Sequence, residues 1–311
     1  MQKKRYLDYA LVLKGLFSER IQKISINAGF TCPNRNGEKG IGGCTYCNNL
    51  SFLPEYCTPQ KSITQQLEEG IRFFHHKYQS QKYLAYFQSF TNTYGDFAHL
   101  KRLYEEALSV PNVVGIVIGT RPDCISDTLL DYLAEVAKQR YVMIEYGIES
   151  TNNQTLKFIN RGHSFEEVVT AINETAKRGI LCSAHLILGL PKETIEQQIF
   201  HAKELSKLPI TSLKLHQLQI VKGTRMAEQF QEHPEWFHLF SVEEYIDLVI
   251  NFLEYLNPDI AIERFVSQSP KELLLAPDWG IKNFEFVAKI DKRMQQRNTF
   301  QGKLYDSTSK R

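Results

Sequence analysis

The sequence predicts an α/β fold built on a parallel sheet, and three observations predict it. Short apolar runs rich in β-branched and aromatic residues recur six times between residues 23 and 220. Amphipathic segments with apolar residues at helical spacing separate them. Helix-start and helix-stop signals sit at the joints, so strand and helix alternate as in right-handed crossovers. An open doubly wound sheet and a partial barrel both satisfy this pattern.

The chain of 311 residues begins MQKKRYLDYALVLKGLF. Asp8 interrupts its short apolar stretch and no small-residue cleavage site follows, so a basic helical segment over residues 1–22 is expected, not a signal peptide. KISIN (23–27) is the first strand. SITQQLEEGIRFFHHKY (62–78) has helical spacing, and YLAYFQS (83–89) and VVGIVIG (113–119) are the next strands. SDTLLDYLAEVAKQ (126–139) is helical and VMIEYGI (142–148) is the fourth strand. SFEEVVTAINETAKRG opens with the capping box Ser164 to Glu167 and closes on Gly179. LCSAHLIL (181–188) follows as a strand. The helix TIEQQIFHAKELSKL has Thr194 and Gln197 in the capping positions, and SLKLHQLQI (212–220) is the sixth strand. After residue 222 the rhythm changes. SVEEYIDLVINFLEYL is a strongly amphipathic helix, DIAIERF (259–265) is one more strand, and VSQSPKELLLAPDWGIKN is rich in loop signals before a basic tail.

Hydrophobic residues make up 42% of the chain, enough for one sizeable core, and no run of about eighteen apolar residues predicts a membrane span. A cytoplasmic protein is expected. Six cysteines in such a chain then suggest metal binding or catalysis before disulfides. The net charge is +2, but residues 1–23 hold six Lys and Arg against two Asp and Glu, and residues 282–311 hold eight against three. Basic ends on an acidic body could meet a polyanion such as RNA; solvated basic termini are the plainer account.

Half of the cysteines fall in one stretch, GFTCPNRNGEKGIGGCTYCNN (29–49), as Cys32, Cys44 and Cys47. It directly follows the first strand, at the end where parallel α/β barrels build their sites. Its glycines let the backbone bend closely around a ligand. Zinc could take these thiolates with Cys57 or a nearby histidine as fourth ligand, but structural zinc sites usually have two Cys-x2-4-Cys arms and only one is present. Three thiolates also suit a [4Fe–4S] cluster that leaves one iron open to a small ligand.

The pattern resembles the cluster loop of radical S-adenosylmethionine (SAM) enzymes, Cys-x3-Cys-x2-Cys with an aromatic residue, here Tyr46, before the last cysteine. The first gap is eleven residues instead of three, as in the Elp3-like branch. Further segments carry the resemblance: YFQSFTNTY (86–94), GTRPDCIS (119–126), EYGIESTNNQTLKFINRGH (145–163), HLILGLPKET (185–194) and LHQLQIVKGTRMA (215–227). The whole chain looks like the YhcC/YtqA type. The resemblance implies a partial (β/α)6 barrel over residues 23–235 and an extension over 236–311. It implies that Cys32, Cys44 and Cys47 hold a [4Fe–4S] cluster whose open iron binds SAM. Tyr46, Gln88, Ser89, Thr91, Glu149, Arg161 and His185 are the implied cofactor-binding residues, with Glu149 toward the ribose hydroxyls and Arg161 toward the SAM carboxylate. Ordinary loop hydrogen bonds are the plainer alternative for Gln88, Ser89 and Thr91, a solvated helix-end arginine for Arg161, and core packing for His185. Cys57, Cys124 and Cys182 form no second cluster motif, which argues against a methylthiotransferase.

For substrate the resemblance points to tRNA, with a reductant such as flavodoxin or ferredoxin as electron donor. The specific expectation is a wobble uridine whose carboxymethylaminomethyl group is converted to aminomethyl. Arg121, Asp123, His216, Arg264, Trp279 and Lys282 are the candidate substrate contacts; Arg264 could hold a carboxylate and Trp279 could stack on a base or pack on the barrel mouth. Two other classes remain: a radical SAM enzyme for a small metabolite or tetrapyrrole-like acid, and a zinc-containing RNA-binding module without catalysis.

Overall fold

The structure, a computed structural model, describes residues 4–48, 53–75 and 81–307. Residues 1–3, 76–78 and 308–311 of the segments read above, and position 49 of the cysteine stretch, lie outside the described residues. The expected strands are β1 (Ile21–Ile26), β2 (Lys82–Phe87), β3 (Val113–Thr120), β4 (Tyr141–Glu149), β5 (Leu181–Leu188) and β6 (Ser212–Gln217). They lie side by side in sequence order, all parallel. The sixth run is shorter than its pattern. Gln217 is tied to the Ser267 backbone, and Ile220–Val221 (β7) leaves to pair antiparallel with Leu274–Ala276 (β9). Ala261–Arg264 (β8), from DIAIERF, adds a seventh parallel strand beside β6.

The sheet is strongly curled. Lys23 Nζ on β1, one edge, donates to Glu263 on β8, the other edge, at 2.8 Å. In a flat sheet those strands would stand about 29 Å apart, six spacings of about 4.8 Å. The result is a partial barrel with a lumen. Helix α1 (Tyr9–Phe17), capped by Asp8, closes its lower end: Tyr9 and Leu13 pack on Leu84, Val117, Met143 and Ala261, and the Tyr9 and Tyr141 hydroxyls are 2.8 Å apart. The crossover helices α2 (Ile63–His75), α3 (Phe97–Ser109), α4 (Asp127–Ala137), α5 (Asn153–Phe158), α6 (Phe165–Lys177), α7 (Ile195–Leu205) and α8 (Arg225–Glu232) follow the strands. α6 and α7 start on the capping boxes read from the sequence, in which serine or threonine and its partner satisfy two amides at each helix start.

The extension holds α9 (Val242–Tyr255) and α10 (Asn283–Gln296). The region read as a basic tail is largely this last helix, and three of its eight basic side chains pair with carboxylates of α9. Lys289 pairs with Glu243, Arg293 with Glu243 and Asp247, and Arg297 with Asp247, all on α9. Lys4 pairs with Asp291. Part of the uneven charge seen in the sequence is therefore an ion-paired helix interface. No helix among the described residues is long and apolar enough to cross a membrane.

Candidate functional site

A cavity of about 430 Å³ opens at the C-terminal ends of the strands and runs down into the lumen. Cys32, Cys44 and Cys47 line its upper end together. The eleven-residue gap between the first two folds into a compact lobe that returns to its start. Lys39 N and Gly40 N donate to Pro33 O, Gly43 N donates to Asn34 O, and Asn36 bridges Ile41. Gly40 must be glycine because a Cβ would stand 2.1 Å from Asn34 Oδ1. Asn34, fully buried, donates to Asn160 O at 2.7 Å, while Asn160 donates to Ile41 O and Gly43 O. The lobe is thus locked to the segment after β4. A turn with Cys47 N donating to Cys44 O then brings the third thiol round.

The chemistry of this end fits an iron–sulfur cluster. Cys44 Sγ accepts from Asn34 Nδ2 at 3.7 Å and Arg161 Nη1 at 3.5 Å, the N–H contacts to sulfur that tune such clusters. Burial, and the Cys44 thiol beside it, push the Cys47 thiol up to about 11, so it stays protonated until a cation claims it. Among the described residues no three His, Cys, Asp or Glu side chains are grouped as a single metal ion would need. Cys57 is elsewhere engaged, donating to Ser25 O at 2.9 Å, so it is no fourth ligand.

Below the thiols the wall carries Tyr46, Gln88, Thr91, Glu149, Arg161 and His185. Ser89 is buried but does not line the cavity. The hydroxyl of Thr91 and Arg161 Nε are buried without a partner among the described residues, which leaves polar atoms on the cavity wall free for a bound cofactor. Glu149 is aimed by strain. The β4–β5 register shifts between Gly147 and Glu149, and Glu149 takes φ 70°, a left-handed conformation costly for a long side chain. Its carboxylate then lies 3.6 Å from Arg161, whose Nη2 donates to Gly147 O at 2.6 Å.

Of the substrate candidates, only some reach the cavity. His216 and Arg264 lie deep on its far wall, with Arg264 Nη2 donating to His216 Nε2 at 2.7 Å. Burial first, and then Arg264, hold His216 well below its usual range, so it is neutral. Arg264 Nε is buried without a partner among the described residues. Arg121 touches the cavity but is a clamp: it grips Asp123 with two bonds of 2.9 Å and donates to Arg161 O at 2.8 Å. Asp123 is buried behind it, off the cavity wall, its carboxyl held below the usual range by Arg121 despite burial. Trp279 and Lys282 line a neighbouring cavity of about 320 Å³ under the extension. Trp279 is committed to packing, its ring parallel to Phe286 at 5.8 Å and its Nε1 donating to Phe240 O.

The sequence reading missed a layer of charge across the lumen. Glu145, with a fully buried side chain, accepts from Lys23 at 2.5 Å and Lys214 at 2.6 Å, and His185 Nε2 lies 3.1 Å from it. Lys23 and Lys214 also reach Glu263. Burial alone would raise the Glu145 carboxyl, but Lys214 and Lys23 hold it well below its usual range. Burial lowers Lys214 to about 8. The available signal was a charged residue inside each of four mainly apolar strand runs.

Residues 27–204 match the family described as Radical SAM superfamily, and residues 210–296 match the Radical_SAM C-terminal domain. Protein YtqA of Bacillus subtilis is 34% identical over 302 residues, 97% of this chain and 93% of YtqA. The tRNA uridine(34) acetyltransferase of Methanocaldococcus infernus is 28% identical over 188 residues, 59% of this chain and 34% of that protein. The solved structure of archaeal Methanocaldococcus infernus Elp3 superposes with a TM-score of 0.69 at 16% identity, over 90% of this chain and 64% of that one.

Proposed function

The chain belongs to the radical SAM superfamily, and from that premise we propose that it removes the carboxymethyl arm from a carboxymethylaminomethyl group on the wobble uridine of tRNA, leaving aminomethyluridine. Its cofactors are those of the family, a [4Fe–4S] cluster and SAM. When bound, they supply a one-electron cleavage of the sulfonium whose radical product takes a hydrogen atom from a substrate carbon. Cys32, Cys44 and Cys47 would hold the cluster. Glu149 and Arg161 would orient SAM, and the narrow lumen would keep water from the reacting carbon.

One observation carries the substrate reading: the lumen has a surplus cation at its far wall. Glu145 and Glu263 face Lys23, Lys214 and Arg264, with His216 neutral. The two lysines hold the two carboxylates, which leaves Arg264 with a neutral imidazole for a neighbour and an unpartnered Nε. A half-buried guanidinium in that state is a carboxylate receptor, able to gain charge-assisted bonds without losing an internal ion pair. The similarity to an enzyme named for tRNA uridine(34) supports wobble uridine as the bearer of that carboxylate. In the conversion the methylene between nitrogen and carboxylate loses a hydrogen atom and then an electron. Water adds to the C=N bond so formed, and C–N cleavage gives the amine and glyoxylate. That electron replaces the one used to cleave SAM, so SAM is the net oxidant.

The test is anaerobic incubation of reconstituted protein with SAM, reductant and tRNA carrying the modified uridine, followed by nucleoside analysis. Aminomethyluridine, glyoxylate and 5′-deoxyadenosine in equal amounts are expected. Unchanged tRNA beside turnover of a small carboxylic acid would replace tRNA with a metabolite as substrate.

A further inference from the structure

The lumen places one imidazole where the proposed reaction needs a proton acceptor. We propose that His185, backed by Glu145, is a catalytic base that takes the proton from the substrate's secondary ammonium as the arm is oxidised. This rests on the carboxymethylaminomethyl reading of the cavity.

The geometry is that of an oriented dyad. His185 lies on β5 two residues below Ile187, and its ring lines the cavity. Nε2 faces Glu145 at 3.1 Å, which fixes the tautomer with hydrogen on that nitrogen. Nδ1 has no hydrogen bond to any described residue, so its lone pair is open. Glu145 is itself immobilised by Lys23 and Lys214, so the carboxylate stays in place while the imidazole gains and loses charge.

Position supports the role. The His185 and His216 rings are 5.5 Å apart, and His216 touches Arg264. In an N–CH2–COO⁻ unit the nitrogen lies about 2.5 Å from the carboxylate carbon. Arg264, His216 and His185 line the same cavity, so a carboxylate held at Arg264 places its nitrogen in the space that His185 faces. The proton moves from that nitrogen to Nδ1. This frees the nitrogen lone pair for the C=N bond once the carbon has lost its hydrogen atom and electron, and the imidazolium rests on Glu145. The charged and titratable groups facing His185 are Glu145 and Glu149 from β4 and Lys214 and His216 from β6. Burial outweighs the pull of Glu145 and lowers the imidazole below 6.5, so the base is neutral and ready at pH 7.

The experiment compares wild type and His185→Gln, reconstituted, with the modified tRNA, measuring aminomethyluridine and 5′-deoxyadenosine separately across pH. For His185→Gln, product is expected to fall about 100-fold while 5′-deoxyadenosine continues to form, uncoupled. Wild-type product formation should show an acid limb displaced below the ordinary histidine range, a limb the variant lacks. This wild-type profile tests the base even if the variant does not fold. Loss of both products together with a raised KM for SAM would make His185 a cofactor contact and overturn the proposal. So would full product from the variant, or a wild-type profile without the acid limb. A wild type that leaves the tRNA untouched defeats the substrate reading instead, before His185 is tested.

Discussion

Replacing Glu145 by glutamine keeps the shape of the lumen and removes its central charge. Lys214, 3% exposed, and Lys23 would then share Glu263 alone, with Arg264 nearby. Removing one partner from a buried ion pair costs about 3–5 kcal/mol, because the other is left buried without compensation. Unfolding entropy of about 2.1 cal/mol/K per residue gives about 0.65 kcal/mol/K for this chain, so Tm should fall by about 5–8 °C. The double variant Glu145→Gln with Lys214→Met, which removes the stranded ammonium as well, should recover about half of that loss. The pH dependence has a definite sign. The Glu145 carboxyl is well below its ordinary range when folded, so its stabilising contribution is complete above about pH 4.3, the unfolded value. It is lost as pH falls toward the folded value, and the gap between wild type and variant should close there. Thermal unfolding of the cluster-free proteins between pH 3 and 8, followed by circular dichroism, measures all of this. A single variant within about 2 °C of wild type at pH 7, or a double variant no more stable than the single, would refute the reasoning.

Other expectations follow from the same geometry. After anaerobic reconstitution the wild type should bind about four irons per chain, and the variant carrying Cys44→Ala and Cys47→Ala should bind none by iron and sulfide analysis. Glu149→Gln should raise KM for SAM about tenfold with kcat little changed, since a charged acceptor is lost from binding, not from chemistry. Arg264→Gln should raise KM for the carboxylate substrate by about 10–100-fold, seen in steady-state kinetics with the modified tRNA. With Lys214 lowered to about 8 by burial, the lumen loses its surplus charge as pH rises through that value. The wild-type KM should therefore climb above pH 8, and a flat KM from pH 7 to 9 would contradict the charge count.

The strand order was legible because each βα unit carries its own punctuation. The boxes at Ser164 and Thr194 fix where α6 and α7 begin, while the alternation alone left a doubly wound order open and the sequential order β1 to β6 is that of the partial barrel. The break in the sixth run was not legible. SLKLHQLQI reads as one strand, and only the Ser267 backbone, fifty residues later, shows why Gln217 ends it. Trp279 and Arg121 show the same limit. Their residue types suit ligand contacts, but Phe286, Phe240 and Asp123 had already claimed them.

The charge layer escaped the sequence for a geometric reason. Lys23, Glu145, Lys214 and Glu263 each interrupt a mainly apolar run, and a period of two says only that each shares a face with its neighbours two residues away. Their partners are 122, 240 and 69 residues distant in the chain. They meet only because the sheet curls until its edges face one another. A flat sheet would leave these groups in separate rows, each needing water. Curling converts them into one network with an odd cation, and the same closure sets that cation, Arg264, on the wall of the cavity. The lumen's structural polarity and its binding chemistry are consequences of a single feature, the curl that brings β1 to β8.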